Sequence, residues 1–270
     1  MTHKTYFYKP GKRFHILQGT QPLPPVILLH GGAWFRGNPS HMLPMAQHLN
    51  RLGFTVVIPQ YSLGAVHWNM KQVIVWILIF YLAVLFIQWQ VVLCFILIYS
   101  IVTLIHGWRW QETMIEPLMD IKDLMHFLNY NRVVLIGHSA GAHLAALYAN
   151  LSKADVCEVI GISGVYSDQH IMNTKIGRLL AHNLRFMKQP YPIYHVERAT
   201  PRQWLIINCE LDSGLKRDSY DFATALIESG HRVQVKYLRH SNHITCINSV
   251  ETFNIITTWL EAIFKPTQSS

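Results

Sequence analysis

The chain has 270 residues, half of them hydrophobic and only 14% charged, against the roughly 25% charged of ordinary soluble domains; it can bury one large core, no Pro/Gly/Ser-rich linker divides it, and part of it is expected to avoid water. Its 23 basic and 15 acidic residues leave a net charge of +8, yet no zinc-finger spacing, RNP-like aromatic motif or basic helix with interleaved aromatics accompanies that charge, so no nucleic-acid partner is expected. Cys94, Cys157, Cys209 and Cys246 are far apart and form no C-x-x-C pair, which argues against a zinc site and a disulfide framework and for a reducing compartment.

The first fifteen residues carry Lys4, Lys9, Lys12 and Arg13 among aromatics and lack the apolar core of a secretory signal. An apolar run at 26–29 predicts the first buried strand, and His30-Gly31-Gly32-Ala33-Trp34 follows it directly. Bare glycine N–H groups at such a strand end have the form of half an oxyanion hole. A helix is predicted over 42–52 and a strand over 55–58, followed by Gln60-Tyr61-Ser62.

The next segment breaks the pattern. Residues 72–108 contain no Asp, Glu, Lys or Arg, and 73–105 are almost wholly apolar. A run of this length is the usual sign of a membrane helix, with Trp76, Trp89, Trp108 and Trp110 as interface-type aromatics. A single crossing would put the elements on either side of it on opposite faces of the bilayer, although they must share one sheet. Gln88-Trp89-Gln90 divides the run into 73–87 and 91–105. As a helix each arm is roughly 22 Å long, short of the roughly 30 Å hydrocarbon core. A hairpin that returns to its own side is therefore expected, with Lys71 and Arg109 placing the main body on the cytoplasmic side. Without that anchor the protein is expected to be cytoplasmic.

After a predicted helix at 117–128 and a strand at 133–136 comes Gly137-His138-Ser139-Ala140-Gly141, with a helix predicted over 142–151. Glycine-flanked serine on a tight strand-to-helix turn is a nucleophile elbow, because side chains at the glycine positions would strike the flanking elements. The N–H groups that follow the serine open a helix and favour negative charge. This predicts acyl transfer through Ser139. His138 and His143 read as packing residues on other faces of the elbow. Asn150-Leu151-Ser152 has only the form of a glycosylation sequon.

A strand at 159–162 is followed by helical material over 168–188, a lid segment or a surface excursion, which Gln189-Pro190-Tyr191-Pro192 ends. After a strand at 204–208 two carboxylates compete, and Asp212, further past the strand end, is preferred to Glu210 as the acid that orients a base. A helix at 220–228 and a strand at 233–238 precede Arg239-His240-Ser241-Asn242-His243, and a last helix covers 250–264. His243, at the loop tip, is preferred to His240 as the base. Uninterrupted apolar strands alternating with helices predict an α/β fold with a mainly parallel sheet flanked by helices. Residues 1–270 read as one domain, with 72–108 an insertion inside it.

The order Ser139, Asp212, His243 is that of the α/β-hydrolase arrangement. With H-G-G-A-W and G-H-S-A-G in place, the chain resembles the α/β-hydrolase superfamily, and within it the H-G-G-x-W group of esterases and amidases that includes kynurenine formamidases and prenylcysteine methylesterases. Residues 137–146, 162–166 and 210–219 look most like the formamidases. Where many relatives have Asp-Tyr-Arg after the second strand, this chain has Gln60-Tyr61-Ser62. The resemblance implies an α/β-hydrolase fold and a Ser139–Asp212–His243 triad. It also implies an oxyanion hole from Gly31, Gly32 and Ala140. The expected activity is hydrolysis of a small carboxylic ester, or of an amide as in the formamidases, without cofactor or metal and with membrane attachment through 73–105. Two rivals are a non-catalytic binding protein on the same fold and a defunct product whose insertion prevents folding.

Overall fold

A computed structural model describes residues 4–63, 94, 97–98, 101, 115–152, 156–171, 191–198, 200–212, 214–239 and 241–264. Eight strands form one sheet: β1 (Lys4–Lys9), β2 (Lys12–Leu17), β3 (Val26–Leu29), β4 (Val56–Pro59), β5 (Val133–His138), β6 (Val156–Ile162), β7 (Gln203–Cys209) and β8 (Arg232–Leu238). Their spatial order is β1-β2-β4-β3-β5-β6-β7-β8. The pairings β1–β2 and β2–β4 are antiparallel and all the others parallel. Among the described residues the α-helices with both ends defined are α1 (Leu43–Arg51), α2 (Ile115–Leu128), α3 (Ala140–Leu151), the single turn α4 (Asp168–Ile171), α5 (Leu215–Glu228) and α6 (Val250–Phe264).

Alternation along the strands splits the core into two layers, because successive side chains leave opposite faces of a pleated sheet. On one face Ile27, Leu29, Leu135, Val159 and Ile206 pack against Ile121 and Leu124 of α2, Leu144 of α3 and Phe222 of α5. On the other, Val26, Leu28, Ile136, Ile160 and Leu205 meet Met45 and Leu49 of α1 and Ile256 and Leu260 of α6. Both faces are covered, which is why β3, β4, β5 and β7 read as uninterrupted apolar runs.

The β1–β2 hairpin was not predicted. It turns at Gly11 (φ 72°), and its turn lysines Lys9 and Lys12 both pair with the buried Asp120 of α2. The same carboxylate accepts the Ser62 N–H at 2.5 Å. One buried acid thus joins the antiparallel edge, a covering helix and the chain leaving β4.

The predicted hairpin over 73–105 lies outside the described residues except for Cys94, Leu97, Ile98 and Ile101, which are helical and exposed. Among the described residues no helix is long and apolar enough to cross a membrane. Most of the predicted segment 168–188 likewise lies outside them; 168–171 form α4.

Candidate active site

The parallel strands end at a common edge, and the loops that leave it carry the residues singled out in the sequence. β5 delivers Ser139 into an unusual backbone conformation, φ 54° and ψ −119°, immediately before α3. A Cβ on Gly137 would stand 2.2 Å from the Gly141 carbonyl oxygen, and one on Gly141 would stand 2.2 Å from that of Leu29. Both positions therefore require glycine. The Ser139 N–H donates to the Ile162 carbonyl at 2.9 Å, while the N–H groups of Ala142 and His143 donate to the Ser139 carbonyl. The turn is anchored on both sides.

Asp212 and His243 arrive on the loops after β7 and β8. The Asp212 carbonyl accepts the Leu215 N–H and its own N–H donates to the Cys209 carbonyl, so the acid loop folds back on itself. His243 is presented by Asn242, whose side-chain oxygen accepts the N–H groups of Ile244 and Thr245 at 2.9 and 3.0 Å. This Asx turn shapes the loop tip. The His243 ring joins the two partners: Nδ1–H donates to Asp212 Oδ2 at 2.7 Å, and Nε2 lies 2.8 Å from Ser139 Oγ. With the Nδ1 proton held by the carboxylate, Nε2 is free to accept the serine hydroxyl proton. Ser139 and Asp212 are each 8% exposed, so the linkage is largely shielded from water.

The loop after β3 is strained and tightly braced. Gly32 (φ 134°), Ala33 (φ 51°) and Trp34 (φ 65°) all have positive φ, and a Cβ on Gly32 would fall 1.7 Å from the Arg36 carbonyl oxygen. The His30 ring donates from Nδ1 to the Gly31 carbonyl at 2.8 Å. Because C=O and N–H of one peptide plane point in opposite directions, the Gly32 N–H is turned away from that ring. Burial lowers the His30 pKa to about 4 and keeps the ring neutral. Tyr61 stacks on it, centroids 4.3 Å apart, and its hydroxyl donates to the His30 carbonyl. The Gln60-Tyr61-Ser62 segment therefore supports the glycine loop from below. Gly31 lies against the elbow, since a Cβ there would be 3.1 Å from Ser139 Cβ.

The family model described as the alpha/beta hydrolase family matches residues 26–233, which spans the sheet from β3 into β8. The chain belongs to the alpha/beta hydrolase family. Solved structures of similar fold include the thermophilic esterase of the Planctomycetes species Thermogutta terrifontis, with a TM-score of 0.66 at 14% identity over 99% of this chain and 95% of that one. Esterase B of Lactobacillus rhamnosis matches with a TM-score of 0.67 at 15% identity over 97% and 84%. A carbohydrate esterase from gut microbiota gives 0.63 at 13% identity over 97% and 96%. No curated protein matches the chain.

In this chain the expected site residues Ser139, Asp212, His243, Gly31, Gly32 and Ala140 come together at one sheet edge. Glu210, the competing acid, is exposed; His240 lies outside the described residues. His143 is buried and accepts the Trp34 indole N–H at 3.1 Å, which ties the glycine loop to α3. His138 is more than a packing residue, because its ring reaches the backbone of His243 at 2.8 Å. The sequon asparagine Asn150 is buried, and its amide donates to the Pro192 carbonyl. Among the described residues no group of three or more His, Cys, Asp or Glu is arranged to hold a metal ion. A cleft lined by Arg132, Glu158 and Arg202 lies at the N-terminal ends of the strands, the opposite edge from Ser139.

Proposed function

We propose that this hydrolase cleaves carboxylic esters through an acyl-enzyme on Ser139. The observation that carries the reading is the His243 ring, bonded through one nitrogen to Asp212 and through the other to Ser139. Ser139 Oγ attacks the ester carbonyl carbon as His243 Nε2 takes its proton. The imidazolium then donates that proton to the departing alkoxide, and a water activated by the same nitrogen releases the acid and restores the serine. Asp212 fixes the imidazole tautomer and stabilises its positive charge throughout. The N–H groups of Gly32 and Ala140 meet the tetrahedral oxyanion, with Gly31 shaping the loop. Ala140 opens α3, where an N–H has no partner within the helix, and each such donor is worth about 2.7–4 kcal/mol by precedent.

A fluorophosphonate probe is expected to label the natural protein and not S139A, and S139A should lose at least about 10⁴-fold in ester hydrolysis. A folded natural protein that takes no label would instead favour a binding role for the fold. The substrate panel begins with propionyl and butyryl esters, the acyl groups named in ligand-bound structures of the Thermogutta esterase. It extends to long acyl esters, and N-formylkynurenine in the same panel reads the amide alternative.

A further inference from the structure

The residue immediately before the nucleophile carries an interaction that the triad chemistry does not use. His138 Nε2–H donates to the main-chain carbonyl of His243 at 2.8 Å, across 105 residues of sequence. Its other edge faces the glycine loop, since a Cβ on Gly31 would stand 2.7 Å from His138 Nδ1 and 3.1 Å from the His138 carbonyl oxygen. The two imidazoles lie with centroids 5.2 Å apart and planes tilted by 41°. One ring is thus covalently adjacent to Ser139, hydrogen-bonded to the backbone of His243 and in contact with Gly31.

We propose that His138 is a positioning residue that sets the distance between nucleophile and base and holds the glycine loop against both. This rests on the serine-esterase reading above. The nucleophile and the base belong to separate loops, and their mutual geometry is fixed by whatever links those loops. The His243 side chain is about one-quarter exposed, and the turn that presents it is shaped by the short-range bonds of Asn242. Those bonds fix the shape of the turn and not its place relative to β5. The His138 bond supplies that placement, because the position of Ser139 is fixed relative to its covalent neighbour. The Cys246 thiol donates to the same His243 carbonyl at 3.3 Å, but a thiol is a weak donor and comes from the same loop as the base.

Charge matters here as well as shape. Burial, followed by the proximity of His243, lowers the His138 pKa to about 4. At neutral pH the ring keeps a single proton, which the contact with the His243 carbonyl assigns to Nε2. A permanently neutral imidazole at this position does not oppose the positive charge that His243 acquires during the reaction. A Lys or Arg placed there would do so.

Three variants test the proposal: His138→Leu, which removes the donor; His138→Gln, whose amide nitrogen reaches the place of Nε2; and His138→Asn, whose amide ends short of it. The readouts are kcat and KM on a p-nitrophenyl ester, the rate of fluorophosphonate labelling, and the thermal midpoint of each variant. Misplacement of reacting groups by about 1 Å costs up to about 10²-fold. H138L and H138N are therefore expected to lose about 10- to 100-fold in kcat, with KM within about twofold, while H138Q stays within about fivefold of the natural protein. If H138L melts too early to assay, the comparison of H138Q with H138N decides. Equal kcat in Gln and Asn variants of similar midpoint overturns the proposal, as does a folded H138L that keeps natural kcat. A natural protein that neither hydrolyses nor labels defeats the serine-esterase reading first, and the role of His138 falls with it.

Discussion

Ser139 occupies φ 54° and ψ −119°, a conformation that costs a non-glycine residue about 1–3 kcal/mol. The site accommodates it with glycine at three close approaches around the turn, Gly31, Gly137 and Gly141. Gly141 gives a direct test of this, because its obstacles belong to another strand end. A Cβ there would stand 2.2 Å from the carbonyl oxygen of Leu29 and 2.5 Å from that of His30. Both obstacles are backbone, so neither can rotate aside. Gly141→Ala is expected to destabilise the fold by about 2–3 kcal/mol and to slow phosphonate labelling, because relief comes only by shifting the loop that bears Gly31 and Gly32. Denaturant titration measures the first effect and the labelling rate the second. A variant as stable and as quickly labelled as the natural protein would contradict the argument. The elbow serine and its glycines were legible as a motif, since turn sterics leave a residue-type signature. His138 was not, because its partner is a backbone carbonyl, which any residue supplies. Tyr61 escaped for the same reason, its hydroxyl meeting the His30 carbonyl.

At the scale of elements, a buried carboxylate links the first turn of α5 to the loop that follows β6. Asp218 is fully buried; it accepts the Tyr166 N–H at 2.6 Å and the Ser167 hydroxyl at 2.5 Å. Burial pushes its pKa up from an ordinary 3.8 to about 6 despite those bonds. The folded protein retains a proton that the unfolded chain has released, so this contribution to stability is complete below about pH 4 and is lost as pH rises through about 6. Its full size is about 3 kcal/mol. Asp218→Asn keeps an acceptor for the Tyr166 N–H and reverses the Ser167 bond, its amide donating to the hydroxyl oxygen, without titrating. The stability difference between D218N and the natural protein should therefore change by about that amount across this interval. Urea unfolding at pH 4, 5, 6 and 7 measures it, and parallel curves for the two proteins would refute it. The parallel strands were readable because burial on both faces leaves unbroken apolar runs such as Val26–Leu29. The β1–β2 hairpin was not, because the edge strand β1 exposes most of its residues, and Lys4, Lys9, Lys12 and Arg13 interrupt any apolar run there. Residue 213, inside the acid loop, lies outside the described residues, as does His240.

Across the whole molecule, the proposed chemistry depends on pairings between distant parts of the chain. β3 pairs in parallel with β5, bringing Leu29 opposite Gly137, and His243 meets Ser139 over 104 residues. Local helices form quickly, whereas such long-range strand pairings are slow to form. On refolding from urea, helical circular dichroism should therefore recover before ester hydrolysis does. Recovery of both signals together, followed by stopped flow, would count against this. The fold class was legible because strand and helix periods alternate along the chain. The order β4-β3-β5 was not, because nothing in a buried apolar run names its neighbour.

The separation of serine from base also bears on synthesis at the ribosome. The elbow is translated well before the loop after β8, so a nascent chain carries the serine with its helix and its glycines but without the imidazole that would activate it. In the proposed reaction such a chain is inert toward esters until His243 has emerged and β8 has paired with β7. The order of residues along the chain thereby delays hydrolysis until the sheet that supports it is in place.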